Sequence, residues 1–184
     1  MRSLLISSFT AFTALTMFAV TATPVLAEGT ILTVTGQIEK TNREAFDPFF
    51  DGFLKFHDKT FEKAYTFDWD TLAALPQHTV TVNADTEDWP GPLAMEGPLL
   101  KDVLATAGAS GATTTLYALD GFGLEMSAEK MDSRDWVLAM KVEGEPLGIG
   151  GFGPLWLVYD TGGRKAPEEE ERSWVWSVFH IEVK

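Results

Sequence analysis

The sequence predicts a mixed, β-rich α+β domain, and three observations carry that class. Short runs of β-branched residues alternate with polar ones at strand period. A single stretch carries a clean helical stripe, with apolar residues at i, i+3, i+4 and i+7. Glycine, proline and aspartate cut the chain every few residues, so the strands are short and the helices few.

Taken in order, Thr30–Gln37 is an alternating strand that ends around Gly36. Residues 40–65 form an irregular excursion with one or two helical turns, because Pro48 and Gly52 interrupt the spacing of Phe46, Phe49, Phe50, Phe53, Phe56 and Phe61. A stripe of that kind reads as satellite core. Asp68 or Asp70 can cap a brief helix that Pro76 stops. His78–Val82 is a strand, Asn83–Asp88 a polar loop, and Trp89-Pro90-Gly91-Pro92 a break. Gly97-Pro98 then opens a helix with Leu100, Val103, Leu104 and Ala107 on one face and Gly108 at its end. Thr113–Leu119 and Phe122–Ser127 form a hairpin about Asp120-Gly121, and residues 128–134 a short polar helix or turn. Trp136–Val142 and Leu155–Tyr159 are strands on either side of a flexible loop, Gly148 to Pro154. After an acidic loop at 167–171, Trp174–Val183 is a long final strand, with Val175, Phe179, Ile181 and Val183 on one side and Trp174, Trp176 and His180 on the other.

Residues 1–27 have the pattern of a cleaved export leader: Arg2, an apolar stretch from Leu4 to Val20, and small residues at Val25-Leu26-Ala27. That pattern predicts a periplasmic domain over residues 28–184. Of the 14 Lys and Arg, the loss of Arg2 leaves 13 against 27 Asp and Glu, a mature charge of −14. So acidic a domain argues against nucleic acid and anionic membrane surfaces as partners, both of which need a positive face. With no cysteine in the chain there is no thiolate nucleophile, no thiolate metal ligand and no redox pair. His57, His78 and His180 lack metal-site spacing, and no serine sits in a nucleophile elbow. Nothing selects a pair of carboxylates for glycoside hydrolysis, and GIGGFG is not followed by the helix a phosphate loop needs.

Four motifs in order, GPLLKDVLATAGA, ALDGFGLEM, VLAMKVEGEPLGIGGFGPLWLVYD and RSWVWSVFHIEV, resemble the sulfite-oxidase-type molybdopterin-binding fold, and more closely its small, stand-alone exported members. The resemblance implies a mixed, barrel-like β architecture from about Leu32 onward. In the molybdenum enzymes of that fold, the loop after the strand equivalent to Thr79–Val82 carries a metal-ligating cysteine; here it reads Asn83-Ala84-Asp85-Thr86-Glu87-Asp88. An arginine that follows the glycine-rich loop in those enzymes corresponds here to Trp156. Cysteine-less members resemble periplasmic pterin-binding regulators, which implies a reduced pterin as ligand and a membrane-bound cyclic-di-GMP enzyme as partner. The alternative is a molybdopterin-dependent oxidoreductase that holds its cofactor without a cysteine.

A pterin is flat, and its amino–amide edge offers two parallel donors that one carboxylate can accept together. Its faces call for aromatic partners. The candidate contacts are therefore Asn83, Asp85, Asp88 and Trp89 in the loop after the first long strand. Phe152 in the glycine-rich loop and Arg172 and Trp174 at the start of the last strand complete the set. Glu87 and Trp176 are neighbours of the same kinds. Trp136 and Trp156 sit in apolar strands and read as core.

Overall fold

The computed structural model describes residues 29–184; the leader expected over residues 1–27 lies outside the described residues. In chain order its elements begin β1 (Leu32–Gly36), α1 (Gly52–Phe56), β2 (Ala64–Phe67), α2 (Trp69–Ala73), β3 (Gln77–Val82), β4 (Leu93–Pro98) and α3 (Leu100–Ala107). There follow β5 (Thr113–Ala118), β6 (Gly123–Ser127), α4 (Ala128–Asp132), β7 (Val137–Ala139), β8 (Lys141–Val142) and β9 (Glu145–Pro146). The last three are β10 (Trp156–Val158), α5 (Glu168–Glu171) and β11 (Val178–Val183).

These strands make a five-stranded sheet in the order β2-β1-β11-β5-β6, a four-stranded sheet in the order β3-β4-β8-β9, and the pair β10-β7. Only β1 and β11 run parallel, with Thr33 opposite His180; every other pairing is antiparallel. The α+β class therefore holds. The sheets stay open, however, and the barrel-like closure implied by the resemblance is absent. Short strands form three separate sheets here rather than one continuous wall.

The core lies between the layers. Leu32 and Val34 of β1, Val178 and Ile181 of β11 and Leu116 of β5 are buried in the larger sheet. Leu100, Val103, Leu104 and Ala107 supply the buried face of α3, and burying each leucine contributes about 1.5–3 kcal/mol. Gly108 ends that helix in the left-handed conformation, at φ 68°, as the sequence predicts. Asp68 caps α2 by accepting from the Thr71 backbone N–H at 2.8 Å, while Thr71 Oγ1 accepts from the Asp68 N–H.

Four elements depart from the sequence reading. Residues 93–98 form a strand, β4, pairing with β3 from Val82↔Leu93 to Gln77↔Pro98, so the strand–loop–helix unit is a hairpin followed by a helix that starts at Leu100. Pro98 ends that strand instead of opening the helix. The expected strand 136–142 is two strands in different sheets, because Met140 donates its N–H to Glu96 and hands the chain from β7 to β8. The last strand starts only at Val178: Ser177 has φ 55°, and a register shift follows between Val178 and His180, breaking the side-to-side alternation. The stripe of the 40–65 excursion is satellite core only in part: Leu54 is buried and Phe46 packs edge-on against Phe61, but Phe49, Phe50 and Phe56 are 83%, 84% and 78% exposed.

Gly97 decides how closely the layers approach. A Cβ there would lie 1.9 Å from the Leu138 carbonyl oxygen on β7. Gly97→Ala must force that backbone apart, and a loss of about 1–3 kcal/mol is expected as a lower urea midpoint. A second prediction concerns His180, which is 2% exposed and stacked on Tyr117 at 5.3 Å. Its Nε2 shares a hydrogen bond with Thr35 Oγ1 at 2.8 Å. Burial drives its pKa from 6.5 down to about 4; the positive charges of Lys59 and His57 add to this and Glu182 opposes it. The unfolded chain therefore takes up this proton first as pH falls. Stability should drop as pH goes from about 6.5 towards 4, by at most about 3 kcal/mol, and level off below. Urea titrations of His180→Gln should show a smaller drop between pH 6.5 and 5; an unchanged drop assigns it to other groups.

Candidate functional site

A cavity of about 810 Å³ opens where the β3–β4 connection, the β5–β6 turn, the glycine-rich loop, α5 and the 172–176 segment meet. Its wall is built from rings. Trp156, the first residue of β10, is 5% exposed, and Phe152 stacks on it with centroids 4.3 Å apart and planes at 21°. Trp89 approaches Trp156 edge-on at 5.7 Å and meets Trp174 in a tilted contact at 5.9 Å. Its own indole N–H is spent on Gly91, donating to that carbonyl at 2.7 Å, which holds the Trp-Pro-Gly-Pro turn in place. Trp176 meets Phe152 edge-on at 6.2 Å. Phe122, Phe152 and Trp176 are half-exposed and mark the open side. Leu93, Val142, Leu147 and Val175 complete an apolar lining of the kind that takes small planar ligands.

The strand break at Ser177 explains why two tryptophans two residues apart differ so much. Trp174 is buried against Tyr159 at 5.6 Å, while Trp176 is 44% exposed. Behind Trp174, Tyr159 donates its hydroxyl proton to Glu170 of α5. Glu170 also accepts from Arg164 Nη2 at 2.8 Å and faces Arg134 at 3.9 Å, and these partners hold its carboxyl below the ordinary range. Burial raises the Tyr159 hydroxyl, and the bond to Glu170 adds to that. One carboxylate thus pins α5 to the core. The same pinning brings Glu168 and Glu171 to the cavity. Burial raises the Glu171 carboxyl above its usual value, and the Glu168 charge pushes in the same direction.

Of the residues singled out in the sequence, Asp88, Trp89, Phe152, Arg172 and Trp174 line this one cavity. Asn83 and Asp85 do not. Asn83 is 5% exposed; its side chain donates to the Gly163 carbonyl at 2.9 Å and its backbone N–H to Thr161 Oγ1 at 3.1 Å. It braces the 161–163 turn. Asp85 is exposed and paired with Lys165 at 3.0 Å, beside the bridge between Ala84 and Ala166. Three residues on, the chain turns through the Trp89 N–H to Thr86 carbonyl bond, which carries Asp88 and Trp89 to the other side. Glu87 lies outside the lining as well. Arg172 is 74% exposed and already bound to Glu168 at 2.9 Å.

Sequence reasoning missed Trp156, Asp120, Phe122, Glu168 and Glu171 as lining residues. Trp156 is core and cavity wall at once, which apolar patterning cannot separate. Asp120 shows only as a turn former, a role it does perform by accepting the Phe122 N–H at 2.9 Å. The glutamates read as a solvated loop, and only the Tyr159–Glu170 bond reveals that they form a helix fixed to the core. Among the described residues, no three His, Asp or Glu side chains gather as a metal ligand set.

No family model matches this chain. No curated protein matches it either. Among solved structures it is similar to the sulfane dehydrogenase SoxCD from Paracoccus pantotrophus, at 20% identity and a TM-score of 0.53. The match covers 83% of this chain and 37% of that one, so the chain spans little more than a third of its neighbour's length. At that identity the likeness shows the fold alone, a distant relation in architecture to that dehydrogenase.

Proposed function

We propose that this chain is an exported, non-catalytic binding module whose aromatic cleft holds a reduced pterin. In this reading it acts in the periplasm and reports occupancy to the periplasmic domain of a membrane signalling protein. The observation that carries the reading is the pairing of a ring-walled cavity with free acceptors. Trp89, Phe152, Trp156 and Trp174 supply faces and edges, and Asp88 and Glu171 supply carboxyl groups for an amino–amide edge. The distant molybdopterin-type fold adds weight to a pterin-like ligand. A molybdopterin itself does not fit the residues present. The chain has no cysteine to ligate its metal, and the one cation of the cleft, Arg172, is tied to Glu168. No oxo-transfer step is therefore assigned to these residues.

The signalling half of the proposal is supported by the excursion that carries α1. Phe49, Phe50 and Phe56 stand in solvent, and exposed aromatic groups of this density are common where a protein partner docks. No helix of the described residues is long and apolar enough to cross a membrane.

Two predictions test the two halves. A tetrahydropterin at about 100 times its Kd should stabilise the protein by about 2.7 kcal/mol, read as a raised melting temperature. Phe152→Ala should weaken that binding about threefold to tenfold, the size of one lost ring–ring contact, and should cost the free protein about 0.5–1.5 kcal/mol from the lost stack on Trp156. No thermal shift with any reduced pterin would sink the ligand assignment, and stoichiometric molybdenum in protein taken from cells would replace it with the oxidoreductase alternative. Separately, Phe49→Ala with Phe50→Ala should abolish partner-dependent signalling while pterin affinity stays unchanged. Normal signalling from that double variant would remove the docking role.

A further inference from the structure

The charge of the cleft is lopsided. Asp88, Asp120, Glu168 and Glu171 line it against the single cation Arg172. Glu168 and Arg172 neutralise each other at 2.9 Å, and Asp120 is engaged by the Phe122 N–H. Asp88 and Glu171 are left with no hydrogen bond or ion pair from the protein among the described residues. Both line the same cavity as Trp89, Phe152, Trp156 and Trp174, whose ring faces carry negative quadrupoles.

We propose that the cleft selects its ligand by charge, taking a flat heterocycle that is cationic or rich in amine donors and rejecting the same kind of ring bearing a phosphate, sulfonate or carboxylate. The proposal rests on the reading of this cleft as the ligand site and adds the charge that the ligand carries. Three features act in the same direction. The ring of Phe152, half-exposed on the open side, attracts positive charge and repels negative charge at its face. Asp88 and Glu171 accept donors, and an anion placed near them meets repulsion that the apolar lining screens poorly. The whole chain, at −13, steers cations inward at a distance, an effect that salt removes. Arg172 is engaged by Glu168, so an anion must compete with that carboxylate for it. The same logic accounts for the misfit of a molybdopterin, whose phosphate and dithiolene both add negative charge.

The test uses two flat probes of matched size, N-methylquinolinium as the cation and naphthalene-2-sulfonate as the anion. Binding of each to the purified protein is followed by tryptophan fluorescence and equilibrium dialysis, at low and at high salt. The cation should bind at least about tenfold tighter at low salt, and the gap should narrow at high salt. Glu171→Gln combined with Asp88→Asn should cut the preference about threefold or more while the melting temperature of the free protein is kept. Phe152→Ala should weaken the cation, which places it in the cleft. Equal or tighter binding of the anion, no binding of either probe, or an undiminished preference in the double variant would overturn the proposal. The pterin assignment fails separately: a cation preference with no pterin bound sinks that assignment alone. Equal binding of a pterin and its phosphorylated form sinks charge selection alone.

Discussion

Trp156 is the contact at which scaffold and site become one object. It begins a three-residue strand, β10, which pairs with β7, and backbone bonds from Met140 to Glu96 and from Val178 to Leu155 join that ribbon to the two larger sheets. The indole adds side-chain contacts to these backbone ties. It receives Phe152 on its face and Trp89 at its edge, and Trp89 in turn reaches Trp174 on the approach to β11. Rings contributed by the β3–β4 connection, the glycine-rich loop, β10 and the segment before β11 therefore share one aromatic junction. Each such contact contributes about 0.5–1.5 kcal/mol beyond burial, enough to hold short, weakly paired elements in register. The cavity is the open side of that junction.

The acidic face of the cleft depends on a different device. A four-residue helix of glutamates has little intrinsic reason to sit against an apolar core, and like charges in a row oppose it. Glu170 resolves this by accepting from Tyr159 and Arg164 with Arg134 close by, which turns one repelling charge into an anchor. Glu168 and Glu171 follow it to the cavity. Their positions are therefore set by a buried tyrosine on another segment and two arginines, one of them thirty-odd residues upstream.

Much of the scaffold was legible in the chain. The stripe from Leu100 to Ala107 with Gly108 behind it, the Asp120-Gly121 hairpin and the Asp68 cap are local signals, and each appears where it is read. The failures share a physical cause. Residues 93–98 carry a glycine and a terminal proline, which locally argue against a strand, yet pairing with β3 and β8 on both sides overrides them. Gly97 is there because Leu138 crosses too closely for any side chain, a demand made by a residue far along the sequence. Ser177 carries no sequence mark of the backbone reversal it makes, so the final strand reads four residues too long.

The sequence by itself determined which chemistries are open. The lack of any cysteine removes thiolate ligation and thiolate catalysis in every conformation, and the excess of carboxylates is independent of fold. It also determined the residue types for a ligand site, rings beside acids. Only the tertiary structure decided which of them meet. Asp85 and Asp88 are three positions apart and chemically alike, but one faces Lys165 and the other the cavity, because a single turn at Thr86–Trp89 lies between them. Composition is a property of the chain, whereas a pocket is a set of distances, and those distances are set by contacts between residues as remote in sequence as Trp89 and Trp174.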